Sequence, residues 1–414
     1  MITTIFASMT LMMISAITMA TTVNTIDNPF TIKYAYAQLQ QQPIVGGLGS
    51  QTLTGDPNLG YPGNQMYGDD AGSLTNGAHG GNDQITGGYN TYNTMHGESY
   101  IMFDSTGGDD ELIGGSDSTN TMFGDAFSMS ISTSGDDQLT GGSDSTNIMI
   151  GDAENMFGSI GGDDELIGGS DSYNYIVGDA EILSNSQNGN DELTGGSDST
   201  NIMIGDADNM VASIDGDDQL TGGSDSYNEM YGDASSMFGS TSGNDQLTGG
   251  SDSYNEMYGD AWYMSDSTGG NDILIGGTGT NYMFGDAEIM EDKSKGGNDI
   301  LFAGTGNNYM YGDSNPDPEF TSADSIGGND RLITTRTGEG STFKLTGGGG
   351  HDVFVTGKIT DPSVMTITDY TPGEDTIAGA LNKDYRTTST TNNANEQIHM
   401  EQQLNAILLK GKTK

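Results

Sequence analysis

An aspartate recurs every 27 residues along most of this chain: Asp83, Asp110, Asp137, Asp164, Asp191, Asp218, Asp245, Asp272 and Asp299 stand in register without drift. Such persistence fixes the architecture before any residue is given a role. Units of one length, each similar to the next, stack as a solenoid. Each unit then packs only on its neighbours, and the chain lengthens without enlarging a single core. The clearest copy, residues 270–296, reads GNDILIGGTGTNYMFGDAEIMEDKSKG.

Each unit carries three short apolar stations. The first is D-x-[LI], as in Asp164-Glu165-Leu166; the second is N-x-[MI], as in Asn174-Tyr175-Ile176; the third follows G-D-A, as in Met156 after Ala153. Glycines separate the first two. Strands of about three to five residues between glycine turns fit this spacing, and glycine at this density would destabilise helices. The expected fold is therefore all-β: a parallel β-solenoid with three short strands per repeat. Leu or Ile at the first station and Met or Ile at the second form ladders along a narrow core. Met129, Met156, Leu183, Met210, Met237, Met264 and Met290 form the third. Because Leu and Ile stand in for Met at equivalent places, these methionines read as core filler and not as soft-metal ligands.

Charge narrows the partners. The chain has 59 Asp plus Glu against 12 Lys plus Arg, a net charge of −47, and residues 34–292 contain neither Lys nor Arg. Salt bridges cannot neutralise the array, and like charges stacked on adjacent turns oppose compaction. A nucleic-acid partner is excluded for the repeats, since phosphate needs a basic surface. Cysteine is absent and the four histidines do not follow the repeat, so a zinc or copper centre is not expected. Divalent hard cations are the natural countercharge.

Calcium takes six to eight oxygen ligands from carboxylates and carbonyls in flexible geometry. Glycine turns can aim carbonyls inward, and aspartate supplies charge. The candidate ligands are the nine anchor aspartates with Asp330 and Asp352, which follow once the period breaks. Asn271, Asn298, Gly277 and Gly279 join them from the turns around Asp272 and Asp299. The G-D-A aspartates Asp125, Asp152, Asp179, Asp206, Asp233, Asp260, Asp286 and Asp313 fit either ligation or turn capping. A lone anchor aspartate would more often cap an Asx-turn; stacked without countercharge, ligation is the better reading.

With these motifs in view, the chain resembles the RTX (haemolysin-type) glycine-rich calcium-binding repeat family, whose nonapeptide is G-G-x-G-x-D-x-U-x. Residues 276–284, GGTGTNYMF, follow it with Asn281 at the Asp position; GGHDVF at 349–354 looks like a terminal copy, and TITDYTPGEDTI at 366–377 resembles a closing segment. The resemblance spans about 80–381 and implies a right-handed parallel β-roll that folds on multiple Ca2+. There are departures. Asn at the second station implies weaker or empty half-sites. Asp117, Asp144, Asp171, Asp198, Asp225 and Asp252, in GGSDS, lie off the family's ligand position. The 27-residue unit equals three nonapeptides, where a simple roll turns every 18. A three-sided coil and a two-sided roll with an excursion at GDAxxM both fit; the apolar third station favours the first.

The chain divides into five parts. Residues 1–37 read as a signal peptide or N-terminal anchor, with an uncharged, mostly apolar run at 4–20 and an A-x-A-like site before Gln38. Residues 38–79 form a degenerate capping segment, 80–314 the array, 315–381 degenerate repeats and a C-terminal β cap, and 382–414 a polar tail whose apolar end suits a short amphipathic helix. The expected function is that of an exported calcium-binding protein, secreted or at the cell surface. The alternative is a surface or matrix protein that contacts glycans or other cell-surface components and uses calcium only structurally. A membrane enters only through an uncleaved N-terminal segment. No H-E-x-x-H or G-x-S-x-G motif occurs, and no enzymatic activity is expected.

Overall fold

The computed structural model describes residues 42–316, 321–322, 324–334, 341–356, 364–379 and 385–387. The expected signal segment, and the amphipathic helix expected in the tail, lie outside these residues. Among the described residues every regular element is a strand; no helix occurs.

One repeat shows how sequence becomes a coil. Gln138–Thr140 buries Leu139 and exposes both flanks. In Thr146–Ile150 the inward residues are Asn147 and Met149, and Ile150 is also covered. Ala153–Phe157 buries Ala153 and Met156. The first two strands alternate with period two, as a strand with one buried face requires, whereas the third places its two buried residues three apart. Each strand pairs in parallel with its equivalents one repeat away: Leu139 with Leu112 and Leu166, Asn147 with Asn120 and Asn174, Met156 with Met129 and Leu183. The result is three parallel sheets. The first, of 13 strands, is built from the D-x-[LI] stations; the second, of 14, from the N-x-[MI] stations; the third, of 9, from the strands after G-D-A. Pairing begins before residue 80, since Thr52–Thr54 joins the first sheet and Asn64–Tyr67 the second.

The three sheets do not enclose one core. The Leu ladder of the first sheet and the Met ladder of the second form one apolar cluster, as in a two-sided roll. The Ala and Met ladders of the third sheet form a separate cluster. A further seam of Phe123, Ile150, Val177, Ile204, Tyr231, Tyr258, Phe284 and Tyr311 closes the angle between the second and third sheets, where Phe123 meets Phe127 at 6.1 Å. The third strand thus forms a sheet, as its apolar station predicts. It does so as an arm of the roll with its own core. Among the described residues Ala287–Glu291 is the last strand of the third sheet, met only by a single bridge from Thr321 to Met290, while the first two sheets continue through Thr376–Gly379 and Tyr385–Thr387.

The corner between the first and second sheets carries a row of exposed aspartates. Asp117, Asp144, Asp171, Asp198, Asp225 and Asp252 occupy it with φ near +51° to +54°. This is the left-handed region that aspartate and asparagine tolerate best after glycine. Here they are turn residues. The second-station asparagines are structural as well. Asn147 Nδ2 donates to Gly142 O (2.8 Å) and to Asn174 Oδ1 (2.9 Å), while its Oδ1 accepts from Gly142 N and Asn120 Nδ2. The bonding repeats from Asn64 to Asn308. Where the RTX resemblance implies half-sites, the fold has a hydrogen-bonded asparagine ladder. An aspartate there would lack the donors that the ladder needs.

Candidate metal centre

The third strand leaves the roll at G-D-A and returns at the anchor aspartate, so the two acidic positions flank the neck of the arm. The neck is closed by hydrogen bonds from the returning chain to the entry carboxylate: Gly243 N to Asp233 Oδ1 (2.8 Å), Gly270 N to Asp260 Oδ1 (2.7 Å) and Gly297 N to Asp286 Oδ1 (2.6 Å). The anchor aspartates form a second file. Each Oδ1 accepts the backbone N–H of the anchor one coil before, as in Asp110 N to Asp137 Oδ1 (2.6 Å) and Asp137 N to Asp164 Oδ1 (2.6 Å). Two files of carboxylates therefore run side by side through the molecule, and both are buried. Asp152, Asp179, Asp206, Asp233, Asp260 and Asp286 are 0% exposed, and Asp137, Asp164, Asp191 and Asp272 at most 2%.

Two anchors group with the entry aspartates of two successive coils. Asp137 lies with Asp125 and Asp152, and Asp191 with Asp179 and Asp206; in each trio one oxygen per residue falls within 4.8 Å of the others. These trios could hold a metal ion. The carboxylate geometry leaves acceptors unused. Oδ2 of every anchor from Asp83 to Asp330 is buried without a hydrogen-bond partner, as are both oxygens of Asp152, Asp179 and Asp206. Glycine makes room for this arrangement. A Cβ on Gly124 would lie 1.7 Å from Gly151 O and 2.0 Å from Asp137 Oδ2, so a main-chain carbonyl and an anchor carboxylate converge on the face of that residue.

Electrostatics follow from burial. Asp152, Asp179 and Asp206 are held well above the usual carboxylate range, first by burial and then by neighbouring carboxylates. Burial pushes Asp218 up to about 8 and, with Asp299 and Asp313 beside it, pushes Asp330 up to about 10. Keeping one such group protonated at neutral pH costs about 4 kcal/mol relative to an unfolded aspartate. Each coil has two. Its three apolar ladders return roughly 1.5–3 kcal/mol per buried side chain before chain entropy is counted. Apolar burial therefore does little more than balance the necks, and a cation would shift the balance decisively.

The remaining sequence candidates fall elsewhere. Asn271 and Asn298 are exposed and continue an outer ladder, in which Asn298 N and Nδ2 both donate to Asn271 Oδ1. Gly277 and Gly279 lie at the corner between the first and second sheets, where Gly277 packs on Gly250 O and Gly279 has φ +114°. Neither pair joins the acidic files. Asp313 accepts from Gly328 N and Gly349 N, and Asp352 Oδ1 from Asp330 N, which carries both files into the C-terminal coils. Some members escape the sequence pattern. Asp69 and Glu98 begin the entry file, accepting from Gly81 N and Gly108 N. Their signals are GDD at 68–70 and GES at 97–99, in place of G-D-A. Asp375 extends the anchor file by accepting from Asp352 N, and Asp369 accepts from Gly347 N and Gly348 N. Asp215, which has no equivalent in other repeats, groups with Asp206 and Asp233.

No protein-family model matches the chain, and neither a curated protein nor a solved structure matches it.

Proposed function

We propose that this is an exported calcium-binding protein of the RTX type, whose β-solenoid folds as Ca2+ neutralises its acidic necks. The observation that carries the reading is the row of buried carboxylate oxygens without partners, one or more in every neck. The residues fit a hard cation. The unpartnered groups are oxygens, no thiolate exists in the chain, and no Lys or Arg occurs between 34 and 292. The anchor aspartates and the G-D-A aspartates would hold the ions. Bound calcium would supply the countercharge that allows both files to stay ionised inside the fold. Calcium is favoured over magnesium because trios of carboxylates with adjoining carbonyls suit a large, flexible coordination shell better than a strict octahedron. Since the trios form only when successive coils stack, binding and folding are one event. A chain of this kind would stay extended until it met calcium outside the cell.

Isothermal titration calorimetry with Ca2+, and with Mg2+ as control, tests the reading. Several calcium ions bound per chain, with little heat from magnesium, is the expected result. No calcium binding at millimolar concentration would overturn it.

A second reading has its own support. On the outer face of the second sheet Tyr227 stacks on Tyr254 at 5.3 Å and Tyr282 on Tyr309 at 4.4 Å, beside Glu229 and Glu256. Aromatic rings flanked by carboxylates suit sugar rings and their hydroxyls. In a surface or matrix protein this face would bind glycans, and calcium would only hold the scaffold. Binding on a glycan array that is lost in Tyr227→Ala/Tyr254→Ala would favour this reading.

A further inference from the structure

Three residues before each anchor, the returning chain passes the mouth of the neck. That place is held by Gly107, Ser134, Gly161, Ser242, Gly269 and Gly296. The geometry explains the preference. A Cβ on Gly161 would lie 1.7 Å from Asp179 Oδ1, and the Ser242 hydroxyl donates to Asp260 Oδ1 at 2.6 Å. The place looks directly onto an entry carboxylate, so it suits a residue with no side chain or with a donor. Two successive coils depart from this, with Asn188 and Asp215.

Asp215 adds a carboxylate where one is already buried. One of its oxygens lies within 4.8 Å of oxygens from Asp206 and Asp233. Asn188 Nδ2 donates to Asp215 Oδ1 at 3.0 Å, which orients the group. Asp215 Oδ2 and Asn188 Oδ1 are then buried without partners. Asp206, 0% exposed, points both of its oxygens into the same space with no donor for either. A serine would have relieved this coil, as Ser242 does one repeat further on. Instead the coil gathers three carboxylates and an amide carbonyl.

We propose that Asp215 and Asn188 Oδ1 join Asp206 and Asp233 of the entry file in an additional cation site, one that shares those two carboxylates with the repeat and takes one hard dication of calcium size. The proposal rests on the reading that the necks take cations. Its charge exceeds that of a neck without Asp215, so it fills first in a titration and gives the array a fixed starting coil.

The test is native mass spectrometry of the full chain titrated with Ca2+, comparing the wild type with Asp215→Ser, Asp215→Asn and Asp208→Asn. Serine occupies the equivalent place at 134 and 242, so Asp215→Ser keeps a side chain that the corner accepts, and circular dichroism in calcium confirms the fold. Asp208, on the third strand of the same coil, controls for lost charge. The expected result is one ion fewer at saturation, and loss of the first-filling ion, in both Asp215 variants, with Asp208→Asn unchanged. Equal ion counts in the wild type and Asp215→Ser would overturn this site alone. An equal loss in Asp208→Asn would overturn it too, by showing a response to net charge only. A wild type that binds no calcium would overturn the reading of the necks.

Discussion

Replacing Asp110 with asparagine changes stability in opposite directions with and without calcium. Asp110 is 2% exposed. Its Oδ1 accepts Asp83 N at 2.6 Å, and its Oδ2 has no partner. Burial, with Asp125, Asp83 and Asp69 adding repulsion, pushes its carboxyl up to about 10. A folded-state value above the unfolded one contributes stability that is fully present below the unfolded pKa, about 3.9, and is lost as pH rises toward the folded value. At neutral pH roughly three units of that loss have accrued, at most about 4 kcal/mol for this group. In Asp110→Asn that cost disappears. The amide oxygen still accepts Asp83 N, and Nδ2 faces the neighbouring carboxylates as a donor. In chelator, then, the variant regains β-signal at a higher pH than the wild type when both are titrated from neutral toward pH of about 4. In calcium the same change removes a charged ligand, and the midpoint of calcium-induced folding moves to higher concentration. Far-UV circular dichroism reads both titrations. A variant that is less stable in both conditions, or unchanged in both, would refute the argument that the necks are held apart by charge.

Other outcomes follow from the same geometry. Leu193→Ala removes a fully buried rung of the main core and lowers stability in calcium by about 2–5 kcal/mol in urea melts, without changing the number of ions bound. Asn174→Asp forfeits the Nδ2 bonds to Gly169 O and Asn201 Oδ1, both 2.8 Å; it destabilises by roughly 1–3 kcal/mol or more and adds no ion by native mass spectrometry. Gly124→Ala drives a methyl group onto Gly151 O and Asp137 Oδ2, so that coil cannot close, and calcium-induced β-signal falls sharply in the variant.

The fold was legible because its period is long-lived and its ladders are simple. Leu139, Met149 and Met156 each repeat every 27 residues on an inward position, and nothing in the structure competes with that pattern. The division of the core was less accessible. Whether Met156 faces Leu139 or a core of its own depends on where the chain crosses itself, and that crossing is made by Asp and Gly, residues that periodicity reads only as turns. The site was legible in its charges and less so in its geometry. The anchors and the G-D-A aspartates do converge, yet the spacing of 12 and 15 residues that brings Asp137 beside Asp125 and Asp152 becomes meaningful only across a closed neck. Asn271 and Asn298 neighbour the anchors in sequence, but they precede the strand and stand exposed on the outer ladder. The family pattern implied a weaker or empty half-site at Asn281, where the structure has amide-to-amide bonding along the ladder.

The most direct test of the central claim is far-UV circular dichroism of residues 38–414 during a calcium titration, with magnesium as control. The account predicts a largely unfolded spectrum in chelator at neutral pH and a cooperative gain of β-signal with calcium alone. A spectrum already rich in β-structure in chelator at neutral pH, and unmoved by calcium, would contradict it.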